Sequence, residues 1–216
     1  MSGPPAPSAN DPMWTAAILA GGQARRLDGR NKAALRLGHA VILEQQLAVL
    51  RAVVDQTVII ASDDTPYRSY GVPIIPDLVP GAGAIGAVYT AIRSASTART
   101  LVVACDMPFL NVPFLSHLVA AGSDVDIAIP RTARGYEPLC ATYSRRCADP
   151  LRRQIEAKHL KVSDVLAAVR GLTIRELGPE EIAPYGQDEV LFFNINTPDD
   201  YTRAVGLAAE YRSQSG

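Results

Sequence analysis

The chain has 216 residues, which suits one large domain, and 48% of them are hydrophobic while 20% are charged. A chain of this length buries roughly 70% of the surface of its unfolded form, so it needs neither disulfides nor a structural metal to fold. Its 21 basic residues nearly balance its 22 acidic ones, and a net charge of −1 excludes a general nucleic-acid-binding surface.

Cysteine usage and hydropathy indicate a cytoplasmic protein. Cys105, Cys140 and Cys147 form no CxxC pair, which fits a reducing compartment better than a disulfide framework. No apolar run approaches the ~20 residues that span a bilayer, so we expect no membrane association. Residues 1–13 are rich in Pro, Ser, Gly and Ala and do not resemble a signal peptide. We expect a disordered tail at 1–13, a single domain at 14–210 and a short tail at 211–216.

Apolar patterning predicts strands that alternate with helices. Runs of strand length lie at 15–19, 57–62, 72–77, 100–106, 125–131, 138–144 and 173–177. Helical patterns lie at 41–55, 84–95, 112–122, 145–170 with a break near 159, and from Pro198 onward. Thr197 is the expected N-cap of the last helix. This order predicts an α/β fold with a mainly parallel sheet and helices on both faces.

Glycine-rich and acidic loops follow several of the predicted strands. In parallel sheets, ligands bind at the carboxyl ends of the strands. The loops at this edge carry the sequences AGGQARR, ASDD, PDLVPGAGAIG and CDMPF. The predicted ligand site is therefore built from these four segments.

The loop after the first strand reads LAGGQARRLDGRNK. Gly21 and Gly22 allow main-chain N–H groups to approach an anion, and Arg25 and Lys32 add positive charge for phosphates. The loop is not a P-loop, because that motif needs Gly-Lys-Ser/Thr and here Lys32 is followed by Ala33. The alternative is a tight turn with solvated arginines and a surface lysine.

A second loop, GAGAIG at 81–86, has the letter pattern of a dinucleotide fingerprint. The fingerprint must open directly after a strand, whereas five residues, PDLVP, intervene here. We therefore predict a nucleotide loop and no NAD or FAD site; the alternative is a loop that caps a helix.

Two aspartates follow predicted strands at the same edge. Asp106 ends the apolar run LVVAC, where a carboxylate is a suitable hard ligand for Mg²⁺ beside phosphates. Asp77 ends the third strand in the same way. The alternative for each is a helix N-cap or a turn residue.

Together these motifs resemble the molybdenum cofactor guanylyltransferase family, which belongs to the nucleotidyltransferase superfamily. The resemblance covers residues of about 14–206 and rests on the stretches ILAGGQARRLDGRNKAAL, IPD, VVACDMPFL, EPLCATYSRRC and FFNINTPDDY. It implies a three-layer Rossmann-like fold. It also implies transfer of GMP from GTP to molybdenum-loaded molybdopterin, with Mg²⁺ as cofactor and release of pyrophosphate. The family also implies possible contacts with molybdenum-insertion proteins and molybdoenzyme chaperones.

The resemblance assigns roles to particular residues. In the first loop, the nucleotide would be held by Leu19, Ala20, Gly21 and Gly22. Three further residues would contact it: Ser62, Asp77 and Asp106. Arg25 and Lys32 would contact the phosphates and, with Asp106 as the metal ligand, form the catalytic set. Asn194 and Asn196 would lie on the pterin side, the alternative being a turn before a helix.

The first loop also bears on the choice of nucleotide. Related cytidylyltransferases tend to have Leu-Ala-Ala-Gly where this chain has Leu-Ala-Gly-Gly, and the methyl group missing at Gly21 leaves room for a purine. We therefore expect GTP to be preferred over CTP. The alternatives are a molybdopterin cytidylyltransferase, a sugar-phosphate nucleotidyltransferase and a non-catalytic nucleotide-binding adaptor.

Overall fold

The computed structural model describes residues 14–20, 35–38, 40–162, 166 and 171–214. Its strands are β1 Trp14–Leu19, β2 Arg36–Leu37, β3 Ala40–Val41, β4 Gln56–Ile60, β5 Ile74–Ile75, β6 Arg99–Ala104, β7 Ile127–Thr132, β8 Gly135–Tyr136, β9 Cys140–Ser144 and β10 Ile174–Leu177. Its α-helices are α1 Ile42–Arg51, α2 Gly83–Ser94, α3 Val112–Ala121, α4 Ala148–Glu156, α5 Pro179–Ile182, α6 Asp188–Leu191 and α7 Pro198–Gln214.

The main sheet runs in the order β10-β7-β9-β6-β1-β4-β5, with β8 paired to β7. Strand β9 is antiparallel to both β6 and β7, whereas β1 is parallel to β4 and to β6. The remaining pairs along this order, β10 with β7 and β4 with β5, are also parallel. The prediction of a mainly parallel mixed sheet is confirmed, and the carboxyl ends of β1, β4, β5 and β6 share one edge.

Alternate residues of the central strand β1 face two separate cores. Ala16 and Ile18 pack in a core with residues of α1 and α3. Ala17 and Leu19 pack in a second core with residues of α2 and α4. Because this strand is buried on both faces, its sequence is a continuous apolar run rather than an alternating one. The three-layer arrangement is therefore confirmed.

A third, smaller core joins the last helix to a hairpin that the sequence analysis missed. The β2–β3 hairpin contributes Leu37, and the C-terminal segment contributes Phe193 and Ile195. The hydroxyl of Tyr201 on α7 donates to the main-chain oxygen of Arg36, 2.7 Å away. These contacts hold the C-terminal segment across the carboxyl edge of the sheet.

Several predicted boundaries can be compared with the structure. Strand β6 ends at Ala104 and not at Asp106, because the chain turns at 105–106. Thr197 caps α7 as expected: its Oγ1 accepts from the Asp200 N–H at 3.1 Å, and Asp200 Oδ2 accepts in return from the Thr197 N–H at 2.9 Å. Helix α7 continues to Gln214, past the predicted domain end at 210, because no Pro or Gly interrupts residues 207–214. The predicted tail at 1–13 lies outside the described residues.

None of the helices in the described part of the chain is long and apolar enough to cross a membrane.

Candidate active site

Five of the residues predicted for the site lie at the carboxyl edge of the sheet. Leu19 ends β1 and Ala20 follows it, Ser62 lies just beyond β4, Asp77 just beyond β5 and Asp106 just beyond β6. Ser62 is exposed and lines a groove of about 370 Å³ with Asp63 and neighbouring residues. The other predicted residues of the first loop, Gly21, Gly22, Arg25 and Lys32, lie outside the described residues.

The start of the first glycine loop is fixed on three sides. The N–H of Ala20 donates to the Ile60 oxygen at 2.9 Å, and the N–H of Cys105 donates to the Leu19 oxygen at 3.2 Å. The hydroxyl of Tyr67, a side chain that is 5% exposed, donates to the Ala20 oxygen at 3.2 Å. Burial raises the pKa of Tyr67, so the hydroxyl keeps its proton and remains a donor.

The loop that carries Asp106 is held by a side chain from α1. Gln46 is 4% exposed, and its Nε2 donates to the main-chain oxygens of Ala104 and Met107 at 2.8 and 2.9 Å. On the other side, the N–H of Ile195 donates to the main-chain oxygen of Asp106 at 3.0 Å. The half-buried carboxylate of Asp106 therefore sits on a main chain that is fixed from both sides.

A divalent metal at Asp106 would have to share its coordination with the substrate. Mg²⁺ in phosphate-binding sites is commonly held by one or two carboxylates together with phosphate oxygens. Within the described ranges, no group of three or more His, Cys, Asp or Glu side chains could hold a metal by protein atoms alone. A metal at Asp106 would therefore need ligands from phosphate or water as well.

Asp77 has a structural role within the second loop. Its Oδ1 accepts from the N–H of Val79 at 3.0 Å and from the hydroxyl of the buried Thr90 on α2 at 2.9 Å. Thr90 Oγ1 in turn accepts from the N–H of Leu78 at 3.0 Å. These bonds fit the turn interpretation that the sequence left open, and they use one of the two carboxylate oxygens.

The glycines of GAGAIG serve different local needs. Gly81 and Gly83 have φ angles of 85° and 64°, which side chains with a Cβ rarely adopt. Gly86 is needed for space, because a Cβ there would lie 2.8 Å from the Cβ of Ala82 and 3.2 Å from the Val79 oxygen. The loop follows β5 only after residues 76–80, so it lacks the strand–turn–helix geometry of a dinucleotide fingerprint.

The asparagines predicted for the pterin side lie on the C-terminal segment. Asn194 Nδ2 donates to the Phe192 oxygen at 3.1 Å, and the same oxygen accepts from Arg134 Nη2 at 3.3 Å. The next residue, Ile195, bonds to Asp106 through its N–H. Asn194 therefore lies between Asp106 and the loop that joins β7 to β8. Asn196 is exposed, and its N–H donates to Asp200 at the start of α7, as the turn interpretation expects.

Comparison with known proteins identifies the family. A family model described as a MobA-like NTP transferase domain matches residues 16–172. The chain belongs to the MobA-like NTP transferases. A relative from Pelotomaculum thermopropionicum, named a probable molybdenum cofactor guanylyltransferase, is 32% identical over 92% of this chain and 95% of its own. One from Desulfosudis oleivorans, named a molybdenum cofactor guanylyltransferase, is 31% identical over 88% of this chain and 93% of its own.

Solved structures agree with this MobA-like assignment. The molybdopterin-guanine dinucleotide biosynthesis protein A of Archaeoglobus fulgidus has a TM-score of 0.75 and 30% identity, over 91% of this chain and 99% of its own. A cytidylyltransferase from Thermus thermophilus shares the fold, with a TM-score of 0.65 and 17% identity over 89% of this chain and 98% of its own. This chain is accordingly a nucleotidyltransferase, and the predicted Rossmann-like fold is confirmed.

Sequence analysis missed several residues that shape this MobA-like site. Gln46 reads as one more position of an amphipathic helix, and Tyr67 lies in the 3₁₀ turn Thr65–Tyr70, which has no apolar period. Arg134 and Glu137 flank the two-residue strand β8, which is too short for an alternating pattern. The sequence could have pointed to Glu137, because that residue opens EPLCATY, a stretch that carries part of the family resemblance.

Proposed function

We propose that the protein transfers GMP from GTP to molybdenum-loaded molybdopterin, forming molybdopterin guanine dinucleotide and pyrophosphate. The observation that carries the proposal is the position of Asp106 between two features. On one side is the anchored start of the first glycine loop at Ala20, and on the other is the segment that bears Asn194. A nucleotide and an acceptor bound to these two sides would meet at the carboxylate. The names of relatives at about 30% identity support the choice of substrates.

The proposed reaction is a direct in-line displacement. A phosphate oxygen of the pterin forms a bond to the α-phosphorus of GTP. The bond from that phosphorus to the oxygen bridging to the β-phosphate breaks, and pyrophosphate leaves with the electron pair. Catalysis then requires positioning and charge stabilisation more than acid–base chemistry.

The chain's own residues would divide this work. Residues 19–22 would hold the nucleotide through main-chain N–H groups, as helix and glycine-loop termini do for phosphates. Lys32 and Arg25 would contact phosphate oxygens, and Asp106 would hold the divalent metal. When bound, the metal supplies positive charge to the α-phosphate and to the departing pyrophosphate. Asp77 and Ser62 would lie beside the nucleoside, and Asn194 and Asn196 beside the pterin.

Two of the three cysteines, Cys140 and Cys147, are too deeply buried to act as a covalent nucleophile. Burial raises the pKa of the Cys147 thiol to about 12 and also raises that of Cys140, so both stay protonated near neutral pH. A buried, protonated thiol is a poor nucleophile. Neither group would compete with the pterin phosphate for the α-phosphorus.

Pyrophosphate release tests the proposal. The purified full-length protein is mixed with Mg²⁺, molybdenum-loaded molybdopterin and GTP or CTP in turn, and with sugar phosphates as alternative acceptors. Release that requires both GTP and the pterin supports the proposal. Preference for CTP, or release only with a sugar phosphate, would establish one of the other transferases. Absence of release under every condition would favour an adaptor.

A further inference from the structure

Glu137 is a half-buried carboxylate that the protein leaves poorly hydrogen-bonded. It directly follows β8, and its side chain is 14% exposed. Within the described part of the chain, its nearest polar groups are the Thr132 hydroxyl at 3.5 Å and Arg134 Nη2 at 3.8 Å. Both distances are too long for strong hydrogen bonds. Burial raises the pKa of Glu137 by more than the charge of Arg134 and the Thr132 hydrogen bond lower it, and the charge of Asp188 adds a smaller upward effect.

A second buried carboxylate shows that the fold can satisfy such a group fully. Asp126, just before β7, is 5% exposed and accepts from the Ser144 hydroxyl at 2.7 Å. It also accepts from the Thr173 N–H at 3.0 Å and from Arg146 Nη1 at 2.9 Å. Burial alone would raise its pKa, but these bonds together lower it. The Glu137 carboxylate is 14% exposed and its contacts are longer than those of Asp126, so a ligand with N–H groups could donate shorter bonds to it.

Glu137 is close in the fold to the two segments that carry Asp106 and Asn194. Its main-chain oxygen accepts from the Cys140 N–H at 2.9 Å, and the neighbouring Leu139 oxygen accepts from the Ala104 N–H at 2.8 Å. Ala104 is two residues before Asp106. Arg134, next to the Glu137 carboxylate, donates to the main-chain oxygen of Phe192. The side chain of Asn194 donates to the same oxygen. Glu137 is therefore connected to both the Asp106 loop and the Asn194 segment through short bonded links.

We propose that the Glu137 carboxylate binds the amino-pyrimidinone edge of the acceptor's pterin ring; this inference rests on the proposed function. That edge presents two N–H donors on one side, the 2-amino group and N3–H, and a carboxylate offers two acceptor oxygens at matching spacing. The ligand would supply the hydrogen bonds that the protein does not.

The binding mode makes a specificity prediction. A lumazine carries an oxygen in place of the pterin 2-amino group and would oppose the carboxylate with an acceptor. The protein should therefore discriminate between the two ring systems at this contact. Discrimination of this kind is large when a site leaves a buried polar group without its partner.

The test compares Glu137→Gln with Glu189→Gln, a control at an exposed carboxylate on α6. We expect Glu137→Gln to raise KM for molybdenum-loaded molybdopterin about tenfold, as the loss of a charge-assisted pair implies, with KM for GTP unchanged. Direct titration uses 6-hydroxymethylpterin and 6-hydroxymethyllumazine. Wild type should prefer the pterin, and Glu137→Gln should lose the preference.

The thermal midpoint separates this role from a structural one. Glutamine has the same shape and carries no charge, so the variant should unfold at the wild-type temperature or above it. An unchanged KM for molybdopterin, equal affinity of wild type for the two pteridines, or a shifted Mg²⁺ requirement would overturn the inference. If the wild type still makes the guanine dinucleotide when one of these results is found, only the inference on Glu137 fails and the proposed function stands. If the wild type makes no guanine dinucleotide, the proposed function itself fails.

Discussion

The side-chain amide of Gln46 donates to the main-chain oxygen of Met107, 2.9 Å away, and so ties α1 to the loop that carries Asp106. The same nitrogen donates to the oxygen of Ala104 at 2.8 Å. Both acceptors flank the proposed metal ligand in sequence. A buried main-chain oxygen without a donor is costly, so this one amide stabilises the turn and also fixes its shape.

Replacing Gln46 by leucine should impair the Asp106 loop. Leucine has a similar volume but donates no hydrogen bond. The Met107 oxygen then loses its side-chain donor and the Ala104 oxygen keeps only the long bond from the Met107 N–H at 3.4 Å, at a total cost of about 1–3 kcal/mol. We expect lower stability, a kcat reduced by about tenfold and a higher Mg²⁺ concentration for half-maximal activity. Gln45→Leu, on the same helix, is the control. A fall in the thermal midpoint with unchanged kcat and unchanged Mg²⁺ dependence would reduce Gln46 to a purely structural residue.

Asp106→Asn should remove metal binding while the protein stays folded. The amide keeps the shape of the side chain but loses the charge that a divalent cation needs, so turnover should fall by roughly a hundredfold or more. The bond from Ile195 goes to the main-chain oxygen and survives the change. Asp124→Asn, at an exposed position, should leave activity intact. Substantial activity in Asp106→Asn, measured as pyrophosphate release, would remove Asp106 from the metal site.

The edge of the sheet was predictable from sequence, but the side chains that hold it were not. Residues 19–20 and Asp106 follow apolar runs, and that local signal is enough to place them at the carboxyl ends of buried strands. Gln46 and Tyr67 act on main-chain atoms 61 and 47 positions away, and the burial of Glu137 depends on contacts that form only in the folded chain. Periodicity records which face of an element is apolar and holds no information on such distant polar contacts.

Tyr67→Phe should loosen the start of the first glycine loop. Loss of the hydroxyl leaves the Ala20 oxygen without its side-chain donor, which should cost about 1–2 kcal/mol. Because residues 19–22 are proposed to hold the nucleotide, KM for GTP should rise several-fold while KM for the pterin stays the same. Tyr70→Phe, in the same 3₁₀ turn, serves as the control. Equal KM values for GTP in the two variants would argue against this role.

Asp126→Asn should change the pH dependence of stability. The folded-state pKa of Asp126 is lowered, so its contribution is present above the unfolded-state pKa of about 3.9 and is lost as pH falls through the folded value. At pH 7 the variant should lose about 1.5–3 kcal/mol of unfolding free energy. The deficit relative to wild type should shrink as the pH is lowered below about 4. Urea unfolding at several pH values measures it, and a deficit independent of pH would contradict the assignment.

Gly86→Ala should disturb the second nucleotide loop through a steric clash. The new Cβ would lie 2.8 Å from the Ala82 Cβ and 3.2 Å from the Val79 oxygen, so α2 must move away from the loop that Asp77 organises. Such overpacking typically costs about 1–3 kcal/mol, and we expect a raised KM for GTP as well as a lower thermal midpoint. The matched control is Gly206→Ala on α7, where a Cβ meets nothing within 4 Å. Alanine in that open helical position should stabilise the protein by about 0.5–1 kcal/mol, because it restricts the unfolded chain. A wild-type KM for GTP in Gly86→Ala would show that the packing of this loop does not control nucleotide binding.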